Sequence, residues 1–136
     1  MATAIAGTIA AGMSQARVIY FGLSAIYLVA VVVQFFLAGL GAFGAEPTYD
    51  SHRVLGFVLA VGSLALLVVA IVGRLPRLFL LLTLVLVGLN ALQIVLANVD
   101  VEEIAALHPV NALAIIFLAH ILMQRSRRYL ASKITA

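Results

Sequence analysis

The chain has 136 residues, 65% of them hydrophobic and only 10% charged, with a mean hydropathy of +1.25 and a formal net charge of +3. A soluble domain carries roughly a quarter charged residues, and a chain this short cannot hide so much hydrocarbon from water, so a water-facing globule is excluded and the lipid bilayer is the expected surrounding. The arginines lie at the ends of apolar stretches rather than on one basic face, which argues against a nucleic-acid partner, and the absence of cysteine excludes disulfides, thiolate-held clusters and covalent haem attachment.

Residues 1–16, MATAIAGTIAAGMSQA, are small and apolar and lack the positive leading segment of a secretion signal. They are expected to form an N-terminal arm, loosely held or interfacial, ahead of Arg17. Four longer apolar stretches follow, at Val18–Phe43, Val54–Val72, Leu78–Val99 and Val110–Met123. A crossing helix needs roughly 17–25 residues. The first three stretches reach that length directly. The fourth reaches it when His108 and Gln124 lie inside the span and Arg125 extends its side chain to the interface. Turn-forming residues separate the stretches: Gly44-Ala45-Glu46-Pro47, Gly73-Arg74-Leu75-Pro76 and Asn98-Val99-Asp100. The expected fold is an all-α membrane protein, an up-down antiparallel bundle of four transmembrane helices over residues 17–128, with a cytoplasmic tail at 129–136.

In that arrangement Arg17, Arg74, Arg77, Arg125, Arg127, Arg128 and Lys133 fall on one side, and Glu46, Asp50, Asp100, Glu102 and Glu103 on the other; Arg53 alone departs from the pattern. The bias of Lys and Arg predicts a multi-pass protein of the cell membrane with both termini in the cytoplasm.

Two histidines open apolar helices on the external side, His52 in YDSHRVLG and His108 in LHPVNAL. Both begin inward-running helices, the second and the fourth, so they share one depth and face each other across the bundle. His52 shares a helical stripe with Gly56, Leu59 and Ser63, and His108 with Asn111, Ala112, Ile115 and Ala119. Small residues one turn below each histidine leave a slot for a flat macrocycle, and imidazole is a common axial ligand of haem iron. His52 and His108 are the expected metal ligands. Arg53, at the aqueous edge, is placed to pair with a propionate. The plainer reading has each histidine bridging water and lipid at the interface, with His108 as the cap of a helix whose first turn holds Pro109.

Asn90 and Gln93 on the third span and Asn111 on the fourth approach the slot and are candidates to donate to a ligand or to an axial imidazole. For Gln34 and for Thr83, which repeats at seven-residue spacing with Asn90 and Ala97, interhelical hydrogen bonding is the favoured reading. His120 lies twelve residues after His108, about 120° around the helix and roughly 18 Å deeper. The second span offers no histidine at that depth, so His120 is expected to make an inner-leaflet hydrogen bond or an inter-subunit contact rather than to hold haem.

The segments SHRVLG, LNALQIVLA and LHPVNAL together resemble one four-helix half of haem A synthase, over about residues 17–128. The chain also resembles a family of small, uncharacterised four-span prokaryotic membrane proteins. The first likeness implies an axial pair at His52 and His108. The sequence departs from the synthases in having Tyr49, beside Asp50, one turn before His52 where they carry glutamate. It lacks the cysteine pair found in some of their outer loops, and it is one half only.

Three functions from different classes fit these residues. The first is a b-type haem protein for electron transfer, or a haem-bearing subunit of a larger membrane redox complex, with a quinone near Gln93 and Asn111 as a further ligand. The second is a half-size haem-modifying oxidase working as a homodimer. The third is a cofactor-free assembly subunit.

Overall fold

The computed structural model describes the backbone of residues 2–44 and 48–134 and the side chains of residues 15–44 and 49–132. The chain is helical throughout this range: α1 (Ala2–Ala42), α2 (Thr48–Val72), α3 (Arg77–Leu96), the single turn α4 (Glu102–Ala105) and α5 (Leu107–Ile134). Four segments are long and apolar enough to cross a membrane: Gln15–Ala42, Tyr49–Val72, Arg77–Leu96 and Glu102–Ser132. Leu, Ala, Val and Ile fill them, and in hydrocarbon a helix satisfies its own backbone polar groups, which decides the secondary structure irrespective of local propensity.

Helix boundaries differ from expectation in three places. The arm expected over residues 1–16 continues into the first span as one unbroken helix from Ala2. The segment after Asp100 folds into α4, stacked directly on α5, instead of a plain loop. α5 runs on to Ile134, so the expected tail is largely helical. Glu46 and the Lys133 side chain, both used in reading orientation, lie outside the described residues.

The α2–α3 turn shows how short these connections are. The Leu75 amide donates to the Ala70 carbonyl at 3.0 Å and the Arg74 amide to Ile71 at 3.0 Å, closing α2 with a Schellman motif. Arg74 takes the left-handed conformation, φ 48°. Pro76 then caps α3. Gly73 is required by close approach, since a Cβ there would stand 2.5 Å from the Cβ of Ala16.

Each long helix packs on two others, in the cycle α1–α2–α3–α5–α1. Along the α1–α2 contact, Gly41 meets Tyr49, Gln34 meets His52, Tyr27 meets Gly62 and Ala16 meets Gly73. Buried positions recur at three- and four-residue steps on every long helix: Tyr20, Ser24, Tyr27 and Val31 on α1; Leu59, Ser63, Leu66 and Ala70 on α2; Phe79, Thr83, Leu86 and Asn90 on α3; Ile115, Leu118, Leu122 and Ser126 on α5. That is the seam of left-handed helix packing. The outward faces carry Ile26, Phe36, Val61, Leu81 and Phe117, all exposed. Polar groups inside and hydrocarbon outside suit a bilayer, where the lipid tails are as apolar as leucine and interior hydrogen bonds help to hold the helices together.

Candidate functional site

The bundle centre is closed at one end and open at the other, and the seam residues decide which. Toward the arginine-rich end, tyrosines of α1 reach diagonally to α3. The Tyr20 hydroxyl bonds Thr83 Oγ1 at 2.6 Å, and that of Tyr27 bonds Asn90. Between them Ser24 and Ser126 meet at 3.1 Å. Beyond Val31 the wall includes the small residues Ala38, Gly56, Ala97 and Ala112 beside Phe35, Gln93 and Ile94, and among the described residues no side-chain hydrogen bond joins α1 to α3 there. A cavity of about 270 Å³ opens there, lined by all four long helices.

His52 and His108 enter this cavity from α2 and α5, the second diagonal of the bundle. Their ring centroids stand 6.3 Å apart with the planes at 52°. His52 lies one turn inside α2, and His108 lies in the first turn of α5 behind Leu107 rather than at the cap position expected for it.

The two rings are held differently. The Nδ1–H of His52 donates to the backbone carbonyl of Gln34 at 3.3 Å. A carbonyl can only accept, so in the neutral ring this bond places the proton on Nδ1 and leaves the lone pair on Nε2. The Gln34 side chain returns the contact, its Nε2 donating to the His52 carbonyl at 2.8 Å. Gly56 makes room for this clasp, because a Cβ there would lie 3.3 Å from Gln34 Nε2. On the other side, Nδ1 of His108 is buried and has no hydrogen-bond partner among the described residues; the Gln93 backbone carbonyl lies beside the ring, outside hydrogen-bond geometry with Nδ1. The Gln34 Oε1 is buried and likewise without a partner among the described residues. Buried polar groups normally find partners, and both of these exceptions belong to residues that line the one cavity.

Of the residues singled out from sequence, His52, His108, Arg53, Gly56, Asn90, Gln93 and Ala112 all line the cavity. Arg53 is exposed at its rim. Asn111 does not line it. Its amide nitrogen donates to the Leu89 carbonyl and to Gln93 Oε1, so it works one step back, holding Gln93. Asn90 is engaged by Tyr27 and the Leu86 carbonyl, which take both of its N–H donors. Leu59 and Ile115 line the cavity from the two histidine stripes, whereas Ser63 is buried below it and bonds the Ala60 carbonyl. Gln34 is the residue whose role the sequence hid. Its interhelical hydrogen bonding was legible from an amide in mid-span, but its partner was not.

His120 is exposed on α5 and lines a different cleft at the arginine-rich end. Among the described residues, no three His, Cys, Asp or Glu side chains come together as a cage for a bare metal ion.

Residues 34–100 match a family of unknown function (DUF6220). The match takes in Gln34, His52, Arg53, Gly56, Asn90 and Gln93 and ends before His108. No curated protein and no solved structure matches the chain, and the likeness to haem A synthase finds no support in these comparisons.

Proposed function

We propose that the protein is a b-type haem-binding protein of the cell membrane, serving electron transfer or forming the haem-bearing subunit of a larger membrane redox complex. In this reading the four long helices run up and down through the bilayer, with both termini in the cytoplasm and the histidine end outside. The observation that carries it is the 6.3 Å spacing of the His52 and His108 rings across a cavity. One metal ion held end-on between two imidazoles, with metal–nitrogen bonds of about 2.0–2.1 Å, sets the ring centroids roughly 6.2–6.5 Å apart.

Two further features support a tetrapyrrole over a bare ion. Two imidazoles alone leave a metal short of ligands, and the described residues bring no third His, Cys, Asp or Glu to the site. Gly56 and Ala112, each one turn from a histidine, and Ala38 and Ala97 are small residues of the cavity wall, where a flat ring would find room.

A haem in this site supplies a one-electron centre. The chain's own residues do the rest. The Gln34 carbonyl would hold the His52 proton on Nδ1 and so leave Nε2 available to a metal, the arrangement that second-shell partners of metal-bound histidines provide. Asn111 steadies Gln93 in the cavity wall. Tyr27 and Asn90 shut the centre against the arginine end. Arg53, exposed at the rim, is available to a carboxylate.

The test is the visible spectrum of the protein purified from cells supplied with haem. A six-coordinate, low-spin spectrum is expected. A colourless protein that remains folded would overturn the proposal in favour of a cofactor-free assembly subunit.

A further inference from the structure

The arginine-rich end of the bundle carries a second cleft, of about 520 Å³, that the haem reading leaves unused. Phe79 of α3 forms one wall, and His120, Gln124, Arg125, Arg128 and Tyr129 of α5 form the other. The aromatic wall is braced. Tyr129 packs against Phe79 at 5.5 Å with the planes tilted by 45°, Phe79 meets Tyr20 edge-on at 5.6 Å, and Arg17 covers the Tyr129 ring at 5.1 Å. Arg17 is therefore engaged, whereas Arg125 and Arg128 are exposed and, among the described residues, neither has an acidic partner. The described acids, Asp50, Asp100, Glu102 and Glu103, all belong to the opposite end, in the first turn of α2 and the α3–α5 connection.

The chemistry along this face of α5 is graded. Arg128, Gln124 and His120 are spaced by four residues and share a stripe about 12 Å long. Phe117 and Leu113 continue the face toward mid-membrane, both exposed. The order is cation, amide, imidazole, hydrocarbon. An amide and an imidazole turned toward lipid tails are costly without a polar partner. A phospholipid presents its groups in the matching order: phosphate, glycerol ester, acyl chain.

We propose that this cleft seats one anionic phospholipid of the adjoining leaflet. Its phosphate lies between Arg125 and Arg128, Gln124 and His120 donate to the glycerol-ester region, and the acyl chains follow Phe117 and Leu113. Positive charge on the site selects an anionic headgroup over a zwitterionic one. The proposal is independent of what His52 and His108 hold.

The full chain, purified in neutral detergent, is titrated by native mass spectrometry with phosphatidylglycerol, phosphatidylcholine and soluble glycerol phosphate. One phosphatidylglycerol should bind in preference to phosphatidylcholine, with glycerol phosphate unable to compete because it lacks acyl chains. Each arginine near the surface adds roughly a fivefold preference, so Arg125→Gln with Arg128→Gln should weaken phosphatidylglycerol binding on the order of 25-fold. The pair Arg74→Gln and Arg77→Gln, at the same end but outside the cleft, should leave it near wild type. Equal binding of the two lipids by the wild-type chain would overturn the proposal whatever the variants do. So would an equal loss in both arginine pairs, which would mean diffuse surface charge. Efficient dimer cross-linking through Gln124→Cys would also overturn it, because the face would then belong to a second copy.

Discussion

Tyr27 and Asn90 exchange two hydrogen bonds across the bundle. The tyrosine hydroxyl donates to Asn90 Oδ1 at 3.1 Å and accepts from Asn90 Nδ2 at 2.8 Å. α1 and α3 are not packed side by side, so only a side chain as long as tyrosine closes this gap. The pair forms the floor of the histidine cavity, since Asn90 also lines it.

Removing the Tyr27 hydroxyl strands the Asn90 carbonyl oxygen and leaves its amide nitrogen only the Leu86 carbonyl. Tyr27→Phe should therefore lower stability by about 1–2 kcal/mol, the range for hydrogen bonds between membrane helices in model systems. Tyr20→Phe should cost less. Thr83 donates its own proton to the Phe79 carbonyl at 2.7 Å and loses only an incoming bond. Unfolding in graded denaturing detergent measures both variants. Equal losses, or a larger loss for Tyr20→Phe, would mean that the floor of the cavity is not held by the Asn90 pair.

The axial assignment predicts that His52→Ala and His108→Ala each abolish the six-coordinate spectrum, while His120→Ala leaves haem content near wild type. His120 lies in the other cleft, away from the two rings. Haem loss in a folded His120→Ala protein would show that the ligand set is misassigned. A change in only one of the other two would point to a single histidine with a different partner.

Gly56 tests the shape of the site without touching a ligand. In Gly56→Ala the new Cβ meets Gln34 Nε2 at 3.3 Å, so the amide must shift by a few tenths of an ångström, and haem uptake should fall only slightly. Gly56→Leu fills cavity space outright. Packed interiors lose about 1–3 kcal/mol to such insertions, and haem content should drop to a minor fraction. Haem per protein, from pyridine extraction, distinguishes the two. Full occupancy with leucine would place the bound ring on another face.

Reporter fusions address orientation. A reporter after Arg77 should read cytoplasmic and one after Glu103 external, because Arg17, Arg74, Arg77 and Arg125 gather at one end of the bundle. Inverted readings would reverse the bundle in the membrane and put the histidine cavity at the cytoplasmic face.

Much of the site was legible because it depends on depth alone. Span boundaries and the 1.5 Å rise of a helix place His52 and His108 at one level before any helix is packed. The small residues beside them follow from the same helical period. Asn111 shows the limit. It shares the His108 stripe, yet its amide turns to Leu89 and Gln93, because a residue at the edge of a stripe points into the core or against a neighbour according to how its helix is rotated. The start of α5 lies two residues before the expected one for a related reason: α4 stacks onto it and supplies the preceding turn, so His108 is not needed as a cap.

Composition by itself determined that this chain is a set of four apolar helices. In a bilayer an unpaired backbone group has no water to turn to, so a long apolar segment has little choice but to coil. Which helices lie on the diagonals, and what crosses them, only the tertiary structure decided. Tyr27 could have met any helix from its sequence position. Packed, it reaches Asn90 and shuts the centre, while the small residues beyond Val31 leave it open where the two imidazoles come within 6.3 Å. The hydrogen bond that sets the His52 tautomer goes to the main-chain carbonyl of Gln34. Every residue carries such a carbonyl, so nothing in the side-chain sequence marks it; only the approach of α1 to α2 selects it.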